Sequence, residues 1–510
     1  MVSFRVSVCS SGIEVRPLEV REEGPLQLAS VVERLGRESG FVLSVVDESA
    51  LFGGWFAPSD LAARLERAGI LWIPLPARCG QIDSEAFESF WTYAWLRLWR
   101  RCKAGQPLVI HGWPDANLSV LALVRLATEL DSPVGSLYRW LDGSLAQWVK
   151  PSDRRSARLV QAWEFLEPAE RVVACLLGGA VGDAFGFPVE SLRWEEIQQL
   201  YGPRGLQEPV WTQGKLLVSD DTQMTLFTLE GLLAAWESTG RWSEAVSHVR
   251  EAYLDWLWTQ CRDTPLRPDG PVGWLARQPE LRERRGPGWT CLSALQSGGN
   301  GSIGRPINNS KGCGGVMRVA PVGLVGLPGG ARAAFSLGAK TAALTHGHPS
   351  GYLSAGLMAA MVHALVERDA TEEDTRRSLL AGIHQGCEIL REYPGHGEVL
   401  RAVSRAVELS DVVFEDHTEA VARLGGGWTG EESLAIALYA ALVGSSFVES
   451  VRIAANHSGD SDSTAALAGQ LRGLIQGLQG IPHSWILALD VFVPAVSLCR
   501  RLVRLRWGSA

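Results

Sequence analysis

Two patterns of apolar and polar positions divide the chain. Short apolar runs come first. Phe41-Val-Leu-Ser-Val-Val46, Ile70-Leu-Trp-Ile-Pro74 and Pro107-Leu-Val-Ile-His111 have the length and composition of buried strands. Between and after them, Pro58–Arg67 and Ser84–Leu96 repeat apolar residues at helical spacing behind Ser or Asp N-cap signals. Strand, helix, strand, helix, strand, loop, helix predicts a parallel α/β layer over residues 1–150. From Arg171 onward strand signals nearly vanish. Helical patterns follow at 170–181, 193–201, 220–237, 242–259, 331–344, 350–367, 372–390, 431–443, 462–479 and 486–504. Gly- and Pro-rich loops separate them, so residues 170–510 predict an all-α domain of about 340 residues, enough for one substantial core. The polar stretch Lys150–Glu167 places the joint at 151–169.

Composition narrows the class. The chain is 46% apolar and 20% charged, and no uninterrupted apolar run reaches the ~18–20 residues of a membrane helix. The opening MVSFRVSVCSSGIEV lacks the apolar core of a signal peptide, so the expectation is a cytoplasmic protein without a membrane partner. Nine cysteines with no CxxC read as reduced thiols, not as a disulfide framework or zinc site. A net charge of -8 without a basic block argues against a nucleic-acid platform.

The chemistry concentrates in four segments of the second part. Leu177–Glu190 is a small-residue helix, with Asp183 inside it, that runs into a glycine turn ending on Glu190; alone it reads as close helix packing. Ser219-Asp220-Asp221-Thr222 and Gly459-Asp460-Ser461-Asp462-Ser463-Thr464 are polar knots that each open onto an apolar helical run. Ser and Asp there satisfy free helix N–H groups and complement the dipole. Two such knots also offer four carboxylates with hydroxyls, an oxygen donor set suited to hard divalent cations. Brought together, the four would repel one another unless protonated or neutralised by metal. The last segment is the glycine loop Lys311-Gly312-Cys313-Gly314-Gly315-Val316-Met317-Arg318, with His346 downstream; its backbone N–H groups can approach an anionic ligand such as a diphosphate.

In this order and at these separations, the four segments closely resemble the ADP-ribosylglycohydrolase family, over about residues 170–490. The resemblance implies an all-α fold with two Mg2+ or Mn2+ ions, ADP-ribose as ligand and an ADP-ribosylated protein as partner. It assigns metal ligation to Ser219, Asp220 and Asp221 on one side and to Asp460, Asp462 and Ser463 on the other. It further gives catalysis to Glu190 and Asp221. Substrate contacts fall to Asp183, Gly312, Cys313, Gly314, Gly315, Met317, His346 and Trp428. The string His457–Thr464 looks most like the arginine-specific branch. Other readings stay open: a hydrolase of a small ADP-ribosyl compound, or of ADP-ribose on another residue or on nucleic acid, and a sensor that binds without turnover.

Residues 35–148 resemble the protein-tyrosine and dual-specificity phosphatases, through the loop His111–Ser119, the upstream WIPLP and the downstream DSPVGSLYRWL. Gly112 stands where that family has its cysteine nucleophile, Leu118 where it has its arginine, and Cys79 at the acid position. Without thiolate, guanidinium or acid there is no nucleophile and no charge stabiliser. The resemblance therefore implies a phosphatase-like α/β domain without phosphatase chemistry.

Overall fold

The computed structural model describes residues 2–9, 12–19, 39–47, 58–77, 84–104, 106–113, 165–262, 264–368 and 374–508, with a few single residues between. The chain divides into two compact units, Met1–Ala169 with Val503–Ala510, and Glu170–Leu502.

The first unit holds a five-stranded sheet: β1 Val2–Cys9, β2 Gly12–Glu19, β3 Phe41–Asp47, β4 Leu71–Ala77 and β5 Leu108–Trp113, in the order β2-β1-β5-β3-β4. Helix α1 (Pro58–Arg67) makes the crossover from β3 to β4, and α2 (Glu85–Lys103) follows β4. The three expected strands form the parallel part, with Val42 pairing both Trp72 and Val109. The expectation of a wholly parallel layer is corrected by β1 and β2, which pair antiparallel and add antiparallel to β5. Strict alternation at Val2, Phe4, Val6 and Val8 is the period-two signature of such a strand. Strand β5 runs two residues further than its apolar run, so Gly112 is a ladder residue paired with Val45. Beside it His111 is fully buried, and burial pushes its pKa down to about 4. Cys79, Leu118 and most of the joint lie outside the described residues.

The second unit is helical. It comprises α3 Leu166–Gly186, α4 Trp194–Tyr201, α5 Asp220–Thr239, α6 Ala245–Gln260, α7 Trp289–Gln296 and α8 Ala320–Leu324. Helices α9 Gly330–Ala343, α10 Pro349–Val366, α11 Thr375–Leu390, α12 Gly397–Ser410 and α13 His417–Ala422 follow. The last are α14 Gly430–Val443, α15 Phe447–Ala455, α16 Ser461–Gln476, α17 His483–Ala488 and α18 Phe492–Trp507. The segments Leu166–Val189 and Pro349–Val366 are apolar and long enough to cross a membrane, which individual apolar runs did not reveal, but 89% and 83% of an 18-residue apolar window in each is buried inside the protein. They are core helices, apolar all round because they are covered all round.

The pairing of α3 with α16 positions the site. Glycines four apart on α3 meet the backbone of α16: a Cβ on Gly178, Gly182 or Gly186 would lie 2.5, 2.1 or 2.3 Å from the carbonyl oxygens of Gly469, Ala465 and Ser461. From the other side, a Cβ on Gly469 or Gly473 would lie 2.2 or 2.1 Å from the carbonyls of Gly178 and Ala174. The helices therefore touch backbone to backbone, and no side chain fits the seam. Gly182→Val should cost roughly 3 kcal/mol, the upper end of overpacking penalties. Thermal denaturation should show a fall of several °C; an unchanged melting temperature would refute the seam.

Candidate active site

The first knot is built by a helix end. Ser219 is the N-cap of α5, and its hydroxyl accepts from Asp221 N at 3.2 Å. Asp183, reaching over from α3, accepts from Ser219 N at 3.0 and 3.1 Å and from Thr222 N at 3.0 Å, and also from the Thr222 hydroxyl. A fully buried carboxylate thus satisfies the free N–H groups of the first turn. Both oxygens of Asp183, expected among the substrate contacts, are engaged this way, and it lies outside the cleft lining. With α5 so fixed, Asp220 and Asp221 project from the first turn. Asp220 accepts from Gly288 N at 3.2 Å.

The second knot mirrors the first. Asp460 is the N-cap of α16, accepting from Ser463 N at 3.4 Å, and Asp462 Oδ1 accepts from the same N–H at 3.0 Å. The turn before it needs Gly459: φ is +152°, and a Cβ would stand 1.9 Å from the Gly426 carbonyl, which accepts from Asp460 N at 2.9 Å. Cys313 Sγ lies 2.7 Å from Asp460 Oδ2.

The two knots and Glu190 meet on a cleft of about 240 Å³. Glu190, Asp220, Asp221, Asp460, Asp462 and Ser463 line one part of it; Gly312, Cys313, Gly314, Met317 and His346 line another, with Trp428 alongside. A Cβ at 312 or 314 would crowd His346, 3.1 Å from Nε2 and 2.9 Å from Cε1 respectively, so glycine there keeps the ring's edge clear. Ser219 and Gly315 fall outside the lining. Ser219 is wholly buried, and a Cβ on Gly315 would meet Ala342 and the Gly351 carbonyl instead. Sequence reasoning missed the segment 286–291, which supplies Gly286, Gly288, Trp289, Thr290 and Cys291 to the cleft. Its signal was the Gly286-Pro287-Gly288 turn ahead of a helix, crowned by a Trp289 that is 77% exposed.

Burial and mutual repulsion shape the carboxylates. Burial pushes Glu190 up to about 8, with the charges of Asp462 and Asp183 adding to it. Burial, reinforced by Asp462, holds Asp220, Asp221 and Asp460 well above the usual carboxylate range. Carboxylate oxygens of Glu190, Asp460 and Asp462 lie within 4.8 Å of one another, and buried Asp221 Oδ2 accepts no hydrogen bond. An orphaned buried oxygen beside crowded carboxylates, all hard donors at two helix N-termini, fits a divalent cation.

Without a cation the folded state holds protons that the unfolded chain releases near pH 4, so stability is lost as pH rises from about 4 toward about 8. In chelator, the melting temperature should therefore fall by several °C between pH 5.5 and 8, and Mg2+ should remove most of that slope. A melting temperature that rises over this window would contradict the repulsion described.

A family model described as ADP-ribosylglycohydrolase matches residues 166–509, which makes the protein a hydrolase by class. The chain belongs to the ADP-ribosylglycohydrolase family. It is 27% identical over 329 residues to the ADP-ribosyl-[dinitrogen reductase] glycohydrolase of Rhodospirillum rubrum, covering 64% of this chain and 92% of that protein. It is 25% identical over 329 residues to the ADP-ribosylarginine hydrolase Tri1 of Pseudomonas putida, covering 62% and 73%. To the ADP-ribosylhydrolase ARH3 of Bos taurus it is 26% identical over 345 residues, covering 62% and 87%.

Proposed function

We propose that this hydrolase removes ADP-ribose from arginine on a modified protein, using two Mg2+ or Mn2+ ions. The observation that carries the reading is the convergence of Asp220 and Asp221 with Asp460 and Asp462 on one cleft that also holds Glu190. Cleavage at the anomeric carbon develops oxocarbenium-like positive charge and requires a proton donor for the leaving group. Glu190, pushed up to about 8, retains a proton near neutral pH and is placed for general acid and base work. Asp220, Asp221, Asp460 and Asp462 would hold the cations, with Ser463 on the lining and Ser219 directly beneath. Bound there, the cations would orient ribose hydroxyls and polarise water. The Gly312–Gly314 wall leaves space for a diphosphate, and the buried acids favour developing positive charge. Support for arginine comes from the string His457–Thr464 and from the name of the Pseudomonas relative, an ADP-ribosylarginine hydrolase. Incubation with arginine-, serine- and aspartate-linked ADP-ribosylated substrates, with and without magnesium, tests this. Cation-dependent release from the arginine linkage is expected. Release from serine alone, or from none, would overturn it.

The first unit fits a phosphatase-like layer without catalysis. Its parallel strands β5-β3-β4 with α1 and α2 support that reading, and buried Gly112 offers no nucleophile. The full chain should not hydrolyse an aryl phosphate. Measurable phosphatase turnover would refute this.

A further inference from the structure

Arg318 is a buried cation that, among the described residues, donates no hydrogen bond to a carboxylate. Its side chain is 1% exposed, and its guanidinium lies over the Tyr253 ring at 4.3 Å. Nη1 approaches the sulfurs of Met224 and Cys291 at 3.5 and 3.3 Å, and Nη2 donates to Thr345 Oγ1 at 2.6 Å. A buried charge in such surroundings is costly unless it serves something. The hydroxyl it addresses is the place to look. With a lone pair turned toward Arg318, Thr345 must direct its one proton elsewhere. Two acceptors are in reach: His346 Nδ1 at 2.8 Å and the Ala342 carbonyl at 3.4 Å. Directed to the nearer of the two, the proton makes Nδ1 the acceptor and leaves the ring proton on Nε2. Nε2 is the atom that Gly312 and Gly314 leave uncovered, since a Cβ on either would come within 3.1 or 3.2 Å of it.

We propose that Arg318 and Thr345 are positioning residues that lock His346 in its neutral Nε2–H form, a standing hydrogen-bond donor to an oxygen of the bound ligand. On the functional reading above, that oxygen belongs to the diphosphate or ribose of ADP-ribose. Burial, with the nearby Arg318 charge, keeps His346 at about 3, so the ring remains neutral at working pH. The reverse polarity, Nδ1–H donating to Thr345, would leave Nε2 a bare acceptor that repels a phosphate oxygen.

Long-range proton–nitrogen correlation spectra of the 15N-labelled full chain, with His346→Gln to assign the ring, read the tautomer without substrate. The wild-type ring should show a bare Nδ1 and a protonated Nε2. Thr345→Val should release that preference and weaken ADP-ribose binding about tenfold, the scale of one lost buried hydrogen bond. Thr345→Ser should restore both. An Nδ1–H ring in the wild type overturns the proposal even if Thr345→Val fails to fold, as does a Thr345→Val protein with unchanged tautomer and affinity. A wild-type protein with the Nε2–H ring but no affinity for ADP-ribose would support the relay and overturn the ligand assignment.

Discussion

Asp221→Asn is expected to lower turnover by about 10³-fold or more, since loss of one well-placed electrostatic stabiliser alone costs about 10²–10³. The reason lies in its environment. Asp221 is 3% exposed, its Oδ2 accepts no hydrogen bond, and burial with Asp462 beside it opposes its charge. Such an oxygen has no structural duty among the described residues, and its chemistry suits a divalent cation. The amide keeps shape and the α5 first turn, so helix content should stay near wild type while Mg2+ affinity collapses. Calorimetric Mg2+ titration beside ADP-ribose release would decide. A variant that binds Mg2+ and turns over normally would remove Asp221 from the centre. The charge change has a second signature: with one repelling carboxylate gone, the cation-free protein should melt higher than wild type at pH 8.

Glu190→Gln is expected to act on the rate and spare binding. Glu190 follows the short turn Phe187–Val189 and lines the cleft, half-buried and facing Asp460 and Asp462. A loss of 10²–10⁴ in single-turnover rate is the usual contribution of general acid–base catalysis. ADP-ribose affinity should remain within several-fold. As a proton donor with its pKa raised to about 8 in the cation-free protein, wild-type Glu190 should impose a decline in rate on the alkaline side, and the glutamine variant should lack that limb. Cation occupancy moves the limb to lower pH without changing its sign. Weakened binding with an unchanged rate would reassign Glu190 to ligand contact.

Much of this site could be read from the sequence, for physical reasons that also mark where reading stops. Ser219-Asp220-Asp221 and Asp460-Ser461-Asp462 announce helix starts through capping chemistry that is local and needs no tertiary knowledge. Asp183 shows the opposite. Its spacing says helix interior, and only the fold brings the free amides of Ser219 and Thr222 to it, so its partner was invisible. The periodic run ended near residue 181, yet α3 continues to Gly186. Gly182 and Gly186 each cost a helix about 1 kcal/mol by propensity, but contact with α16 overrides that. Helices α13 and α15, of six and nine residues, are too short for a periodic signal to build. By contrast, α12 was within reach: Val399, Val403, Ala406 and Leu409 mark one buried face. In the first unit the β1–β2 hairpin was missed although its alternation was plain, because a helix–strand alternation suggests parallel strands first.

The glycine seam also sets a schedule. It joins α3, near the start of the helical unit, to α16, near its end, and only that union brings Asp462 and Asp460 to Asp220 and Asp221. The two knots are roughly 240 residues apart, so at a synthesis rate of about 5–20 residues per second one waits roughly 10–50 s for the other. During that interval the nascent chain carries half of the carboxylate cluster, Asp220 and Asp221 at the start of α5, without the Asp460 and Asp462 that complete the cleft. Activity is thus reserved for chains completed almost to their last helix, and a ribosome-bound or truncated product lacking α16 is inert by construction.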